Sequence, residues 1–111
     1  MKAAMRPFVG TWRIVEMEVW DQDYVNMEVP GYFTFKKDGI GNFHFGAVEG
    51  EMDCRIAQFD GRDRIEFAWE GQDEMDDVSG RGWAVIENSE LSGRIFFHLG
   101  EDSKFRAKKT R

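Results

Sequence analysis

The chain carries one cysteine, Cys54. No disulfide can form within it, and a lone thiol suits a reducing compartment. Positive charge is also scarce. Fifteen lysines and arginines stand against 21 aspartates and glutamates, a net charge of −6. A nucleic-acid partner needs counter-charge for its phosphates, so none is expected. No apolar run approaches the ~18 residues of a membrane span, and residues 1–7 hold two basic side chains but no apolar stretch of signal length. No membrane partner is expected, and a cytoplasmic setting is. Histidine occurs only at His44 and His98. No serine, histidine and aspartate fall into a catalytic arrangement, no glycine loop is built for phosphate, and no paired carboxylates share a cleft. No catalytic residue is nominated, and neither cofactor nor metal is expected.

Aromatic residues are plentiful. Ten phenylalanines, four tryptophans and two tyrosines make up 14% of the 111 residues. A chain of this length is one domain, and side chains of this kind favour strands. The stretch that organises the rest is Phe8-Val9-Gly10-Thr11-Trp12-Arg13-Ile14. It reads as the opening strand of a closed antiparallel barrel, with Trp12 plugging one end and residues 1–7 capping that end. The strand extends to Trp20. Its apolar positions switch from even (Trp12, Ile14) to odd (Val15, Met17, Val19), the mark of a β-bulge. Residues 21–28 then break the alternation. Asp21 caps a short helix that presents Tyr24, Val25 and Met27 on one side, and Pro30-Gly31 ends it. This connection is either packed over one barrel mouth or a lid across a ligand entrance.

Seven more strands follow, at 32–36, 41–48, 51–59, 63–70, 78–87, 91–99 and 103–109. Turns are expected at Lys37-Asp38-Gly39, Glu49-Gly50, Asp60-Gly61, Asn88-Ser89 or Ser89-Glu90, and Gly100-Glu101-Asp102, with a longer acidic connection over 71–77. The turns set register. Phe45 then faces Cys54 and Phe43 faces Ile56. On the next pair of strands Ile56 faces Ile65, Cys54 faces Phe67 and Met52 faces Trp69. Apolar residues fall on one face of three strands, and His44, Arg55 and Glu66 form a row on the other. The result is an all-β, eight-stranded antiparallel up-and-down barrel with a short helical connection between its first two strands. Closure removes exposed sheet edges, and eight strands enclose room for side chains or for one small ligand.

The Gly10-Thr11-Trp12 triplet resembles the Gly-x-Trp signature of lipocalins and other calycins. In that superfamily a late arginine packs across the tryptophan, and Arg106 is the matching residue. The resemblance implies a calycin-like barrel that binds a small apolar molecule. The same start occurs in nitrobindin-like haem barrels, where a late histidine holds the iron. His98 is the only late histidine, and its strand parity turns it outward. The overall pattern is also similar to that of small bacterial proteins of uncharacterised activity.

Two surfaces are candidates for function. Inside, Trp12, Phe33, Phe35, Phe43, Phe45, Cys54, Phe67, Trp69, Ile95, Phe97 and Phe105 converge, facing a wall of Gly80, Gly82, Ala84 and Gly93. The small wall either makes room for Trp12 and Trp69 or lines an apolar pocket. In the second case Trp12, Tyr24, Trp69, Gly82 and Phe97 contact the ligand. Outside, Arg81, Trp83 and Val85 stand beside Arg94, Phe96 and His98. Aromatic and arginine side chains favour interface centres, so Arg81, Trp83, Arg94, Phe96 and His98 form a candidate homodimer or partner surface. A flipped pair of strands would instead turn Arg81, Arg94 and His98 inward onto an anionic head group. Cys54 points in and His44 out, so the two cannot share a metal. The acidic run from Glu70 to Asp77 lacks the spacing of a calcium loop and reads as solvated. The first expectation is non-catalytic binding of a small hydrophobic or amphipathic molecule. The second is a solid-cored barrel that acts as a homo-oligomeric or protein-interaction module through its outer aromatic ladder.

Overall fold

The computed structural model describes residues 3–110. A 3-10 helix at Ala3–Phe8 leads into β1 (Gly10–Met17). A single helical turn, α1 (Gln22–Val25), connects to β2 (Tyr32–Phe35) and β3 (Ile40–Phe45). Three long strands follow: β4 (Val48–Phe59), β5 (Arg62–Asp73) and β6 (Asp76–Glu87). The chain ends with β7 (Glu90–Phe97) and β8 (Asp102–Lys109). Each strand pairs antiparallel with the next, and β8 returns to β1, closing an all-β, up-and-down barrel of eight strands.

Alternation along the strands builds the core. Phe33, Phe35, Phe43, Phe45, Ile65, Leu91 and Ile95 are all fully buried. Their rings meet across the axis: Phe33 lies 4.4 Å from Phe105, 5.4 Å from Phe43 and 6.1 Å from Phe67 between centroids. Each such side chain contributes roughly 1.5–3 kcal/mol by leaving water. The bulge expected in the first strand falls between Ile14 and Glu16, where the pairing with β8 slips by one residue. It lets Trp12, Ile14 and Met17 all point inward. The strand stops at Met17 rather than Trp20.

Three turns differ from expectation. The β3–β4 turn is Gly46-Ala47, not Glu49-Gly50. Gly46 adopts φ +58 and lies where a Cβ would overlap the Tyr24 ring, so α1 selects this glycine. Phe45 therefore pairs with Val48 and Phe43 with Gly50, not with Cys54 and Ile56. The displacement is an even number of residues, so the inward set survives. The β4–β5 pairing follows the expected register, Cys54 to Phe67 and Met52 to Trp69. The acidic stretch 71–77 is not a long connection. It continues β5 and β6 to a tight turn at Glu74-Met75, with Glu74 at φ +59. The last strand connection begins earlier than expected, because β7 ends at Phe97 and Leu99 takes φ +58.

Asp21 caps α1 as expected, accepting a hydrogen bond from the Tyr24 amide at 2.9 Å. Val25 is fully buried and Tyr24 half-buried, but Met27 lies beyond the helix and is 56% exposed. No helix among the described residues is long and apolar enough to cross a membrane.

Candidate functional site

The residues expected to contact an internal ligand do not form one group. Trp12 closes the end where β1 starts. Its indole N–H donates to the Phe8 carbonyl at 2.9 Å, and the buried Met5 and Phe8 cover the same end. The side chain across Trp12 is Lys109, whose Nζ sits 4.7 Å from the ring centroid. Arg106, the arginine implied by the calycin resemblance, does not reach it. Register places Lys109 opposite Trp12 and Arg106 opposite Glu16, beyond the bulge. Arg106 points outward and bonds to Glu16 and Glu90.

Tyr24, Trp69 and Phe97 gather at the other end. Trp20, which the sequence reading did not nominate, joins them. Its ring lies 6.4 Å from Tyr24, 5.1 Å from Phe45 and 5.8 Å from Phe97. Trp69 meets Phe43 and Phe97 edge-on, each at 5.0 Å. The Trp69 Nε1 is buried and has no hydrogen-bond partner among the described residues. Above this cluster α1 is tied to the β3–β4 turn. Gly46 donates to the Val25 carbonyl at 2.9 Å, and the Ala47 amide to the Tyr24 hydroxyl at 3.2 Å. Gly82 lies apart, on the wall, where the Phe67 ring occupies the place of its missing side chain. The Trp69 Nε1 does the same beside Gly80, 3.0 Å from where a Cβ would stand. The small wall thus accommodates Phe67 and Trp69, and the nearest atoms at Gly80, Gly82 and Gly93 include none of Trp12.

The outer face of β4–β7 is concave. A groove of about 850 Å³ runs across it, lined by Arg64, Ala68, Arg81, Trp83, Phe96 and His98 among others. Four of the five residues expected on a partner surface therefore share one depression. The fifth, Arg94, is half-buried on the same face and pairs with Asp102. None of Arg81, Arg94 and His98 points inward; Leu91, Ile95 and Phe97 take the inward positions of β7. The flipped arrangement with an internal anion site is thereby excluded. His98 has left the strand, but its amide still donates to the Ser79 carbonyl at 2.7 Å.

Charge along this face is unevenly settled. Arg55 pairs with Asp53 at 3.7 Å, Arg62 with Glu87 at 2.9 Å, Arg64 with Glu66 at 2.6 Å, and Arg94 with Asp102. Arg81 has no carboxylate partner among the described residues. The Arg64 guanidinium lies 4.3 Å from the Phe59 ring centroid and 5.1 Å from that of Trp83, which fixes one wall of the groove. Ala68 sits at the bottom, between Asp53 on β4 and Arg81 on β6. Its outward parity and small size are readable in the sequence, but the depression needs the twist of three long strands.

No protein-family model, curated protein or solved structure matches this chain.

The remaining reactive groups lie elsewhere. His44 is not in the row with Arg55 and Glu66, because the β3–β4 turn moved. It stands opposite Tyr32 and Glu49. Its Nε2 lies 3.2 Å from Glu28 Oε1 and 3.1 Å from the Gly46 carbonyl, two acceptors that call for a proton on that nitrogen. Cys54 is buried, and burial together with the Asp53 charge pushes its thiol up to about 12. Among the described residues no three histidine, cysteine or acidic side chains converge as a metal site.

Proposed function

We propose that the protein is a non-catalytic binding barrel that meets its partner on the outside, through the face of β4–β7. The observation that carries this reading is the groove of about 850 Å³ that places Trp83 and Phe96 beside Arg81, whose guanidinium has no carboxylate partner among the described residues. Tryptophan and arginine dominate interface centres because one offers wide apolar area and the other a planar hydrogen-bonding charge. Inside the barrel, by contrast, aromatic rings stack on one another at 4.4–6.3 Å. The Gly10-Thr11-Trp12 start and the eight-strand closure support a calycin-like descent for this scaffold.

The probe that tests the reading is anilinonaphthalene sulfonate, an aromatic anion. Its emission should rise with the wild-type protein, fail to rise with folded Trp83→Ser, and persist with Trp69→Phe. Emission that survives Trp83→Ser overturns the reading.

One observation favours a second reading, binding of a small amphipathic molecule inside the barrel. The buried Trp69 Nε1 lacks an acceptor among the described residues, and the Trp69 ring belongs to the aromatic cluster of Phe97, Trp20 and Tyr24 at one barrel end. A ligand oxygen would satisfy that donor, whose isolation costs about 1–3 kcal/mol. Fatty-acid titration that quenches tryptophan emission in the wild type but not in Trp69→Phe supports it; equal quenching in both removes it.

A further inference from the structure

We infer that the occupant of the outer groove is the tip of the β5–β6 hairpin of a second copy of this chain. This rests on the outer-face reading above and names its partner. The groove offers Arg81, a cation with no carboxylate partner among the described residues, next to apolar surface from Trp83, Phe96 and Ala68, while its carboxylates Asp53 and Glu66 are each paired with an arginine. Its occupant must present a carboxylate beside an apolar side chain. The turn Glu74-Met75 does so. Met75 is 92% exposed, and Glu74, Asp76 and Asp77 around it are exposed and hold no cation among the described residues. Asp77 accepts only a long hydrogen bond from Gln72, at 3.4 Å. Surplus positive and surplus negative charge thus sit on one hairpin. They cannot meet within a copy, because six residues of extended strand, about 20 Å, separate Arg81 from Met75.

Register shows how two copies fit. The outward residues pair as Ala68 with Arg81, Glu70 with Ser79, and Gln72 with Asp77, and the turn follows. Two hairpins laid face to face and antiparallel have a two-fold axis between the second and third of these pairs. That axis lays β5 on β5 and β6 on β6, so Ala68 faces Glu74 and Arg81 faces Met75 of the other copy, and Arg81 meets Glu74 diagonally across one strand spacing of about 5 Å. It sets the Ser79 hydroxyl against Asp77 and the Glu70 carboxylate against the Gln72 amide. Ser79 with Asp77 and Gln72 with Glu70 are donor–acceptor pairs, and Arg81 with Glu74 is the diagonal ion pair. The two-fold rotation repeats every contact once, so the contact closes at two copies and does not propagate. The net charge of −6 on each copy opposes association, and mass action fills the dimer as concentration rises.

Sedimentation of the full chain tests this. The mass should climb from 12.9 kDa toward twice that value as concentration rises. Arg81→Glu and Glu74→Arg should each weaken the dimer by about tenfold or more, since each sets like charges together. The double variant Arg81→Glu/Glu74→Arg should recover it. Both positions are exposed, and circular dichroism checks that each variant is folded. A mass of 12.9 kDa at every concentration overturns the inference, as does a dimer indifferent to both single changes. If the chain stays monomeric while Trp83→Ser still abolishes binding of the sulfonate probe, the outer-face reading stands and only the second copy is lost. If a different protein binds the monomeric wild type and not Arg81→Glu, another acidic segment fills the groove and this assignment fails.

Discussion

At Cys54 the environment rather than the residue type sets the chemistry. The side chain lies inward on β4, opposite Phe67, with 8% of its surface exposed. Burial and the neighbouring Asp53 hold the thiol well above its ordinary value, at about 12. The thiolate is the reactive species, so native protein at pH 8 should resist iodoacetamide and protein unfolded in urea should label readily. Equal labelling in both states would contradict the buried placement. The same shift makes a statement about stability. The folded chain keeps its proton where the unfolded chain loses it, so stability is unaffected below about 9 and falls as pH rises from there toward 12. The inward placement of Cys54 follows from strand parity and is readable in the sequence. The covering of Trp12 by Lys109 is not, because it depends on where the bulge between Ile14 and Glu16 resets the register of β8.

Among the elements, β6 shows what its glycines are for. Gly80 and Gly82 alternate along its inward side, and a Cβ at Gly80 would overlap the Phe96 carbonyl oxygen on β7. The backbones of β6 and β7 approach closely there, which only a residue without a side chain permits. Gly80→Ala should therefore cost roughly 1–3 kcal/mol, the usual penalty of overpacking, and more if the β6–β7 ladder parts. Urea unfolding measures it, and an unchanged midpoint would show that the strands have slack. Turns were less legible than faces. The stretch around the β3–β4 connection offers two glycines, Gly46 and Gly50, and local turn rules point to Glu49-Gly50, the wrong one. The Tyr24 ring and the Val25 carbonyl, both from α1, select Gly46, and no local pattern announces a contact of that range. Gly50 instead leaves space for the Phe43 ring. Phe43 and Phe45 remained inward through this six-residue change of register sum because parity was untouched. The groove was half legible. Parity placed Arg81, Trp83, Phe96 and His98 on one side, but the continuation of β5 and β6 through the acidic stretch 71–77 was hidden by its composition.

On the scale of the whole barrel, closure depends on one seam. Seven of the strand pairs join neighbours in sequence, but β1 and β8 bring together opposite ends of the chain. A charge ladder crosses that seam: Glu16 on β1, Arg106 on β8 and Glu90 on β7, with Arg106 bonding both carboxylates at 2.9–3.0 Å. Lys108 adds a longer pairing to Glu90 at 3.7 Å. The hydrogen bond from Arg106 holds the Glu90 carboxyl below its ordinary range, and Arg106 is raised in turn by Glu90 and Glu16. A carboxyl with a lowered folded value binds protons more weakly than in the unfolded chain. Its contribution to stability is present above the ordinary carboxylate value and is lost as pH falls through the lowered one. Glu16 and Arg106 are exposed and Glu90 is half-buried, so the ladder contributes modestly and salt weakens it. It nevertheless sits at the one junction between strands that are not neighbours in sequence. Acid should therefore loosen β1, β8 and β7 before the central β4–β5 pair, each 12 residues long and joined by a tight turn. Hydrogen exchange resolved by strand, measured below and above the ordinary carboxylate value of about 4, makes the comparison. Amides of β1 and β8 should lose protection first on acidification, and Arg106→Gln should weaken the same amides at neutral pH while removing most of their acid response. Loss of protection at the same pH in every strand would mean that the barrel opens as one unit and that the seam has no separate weakness.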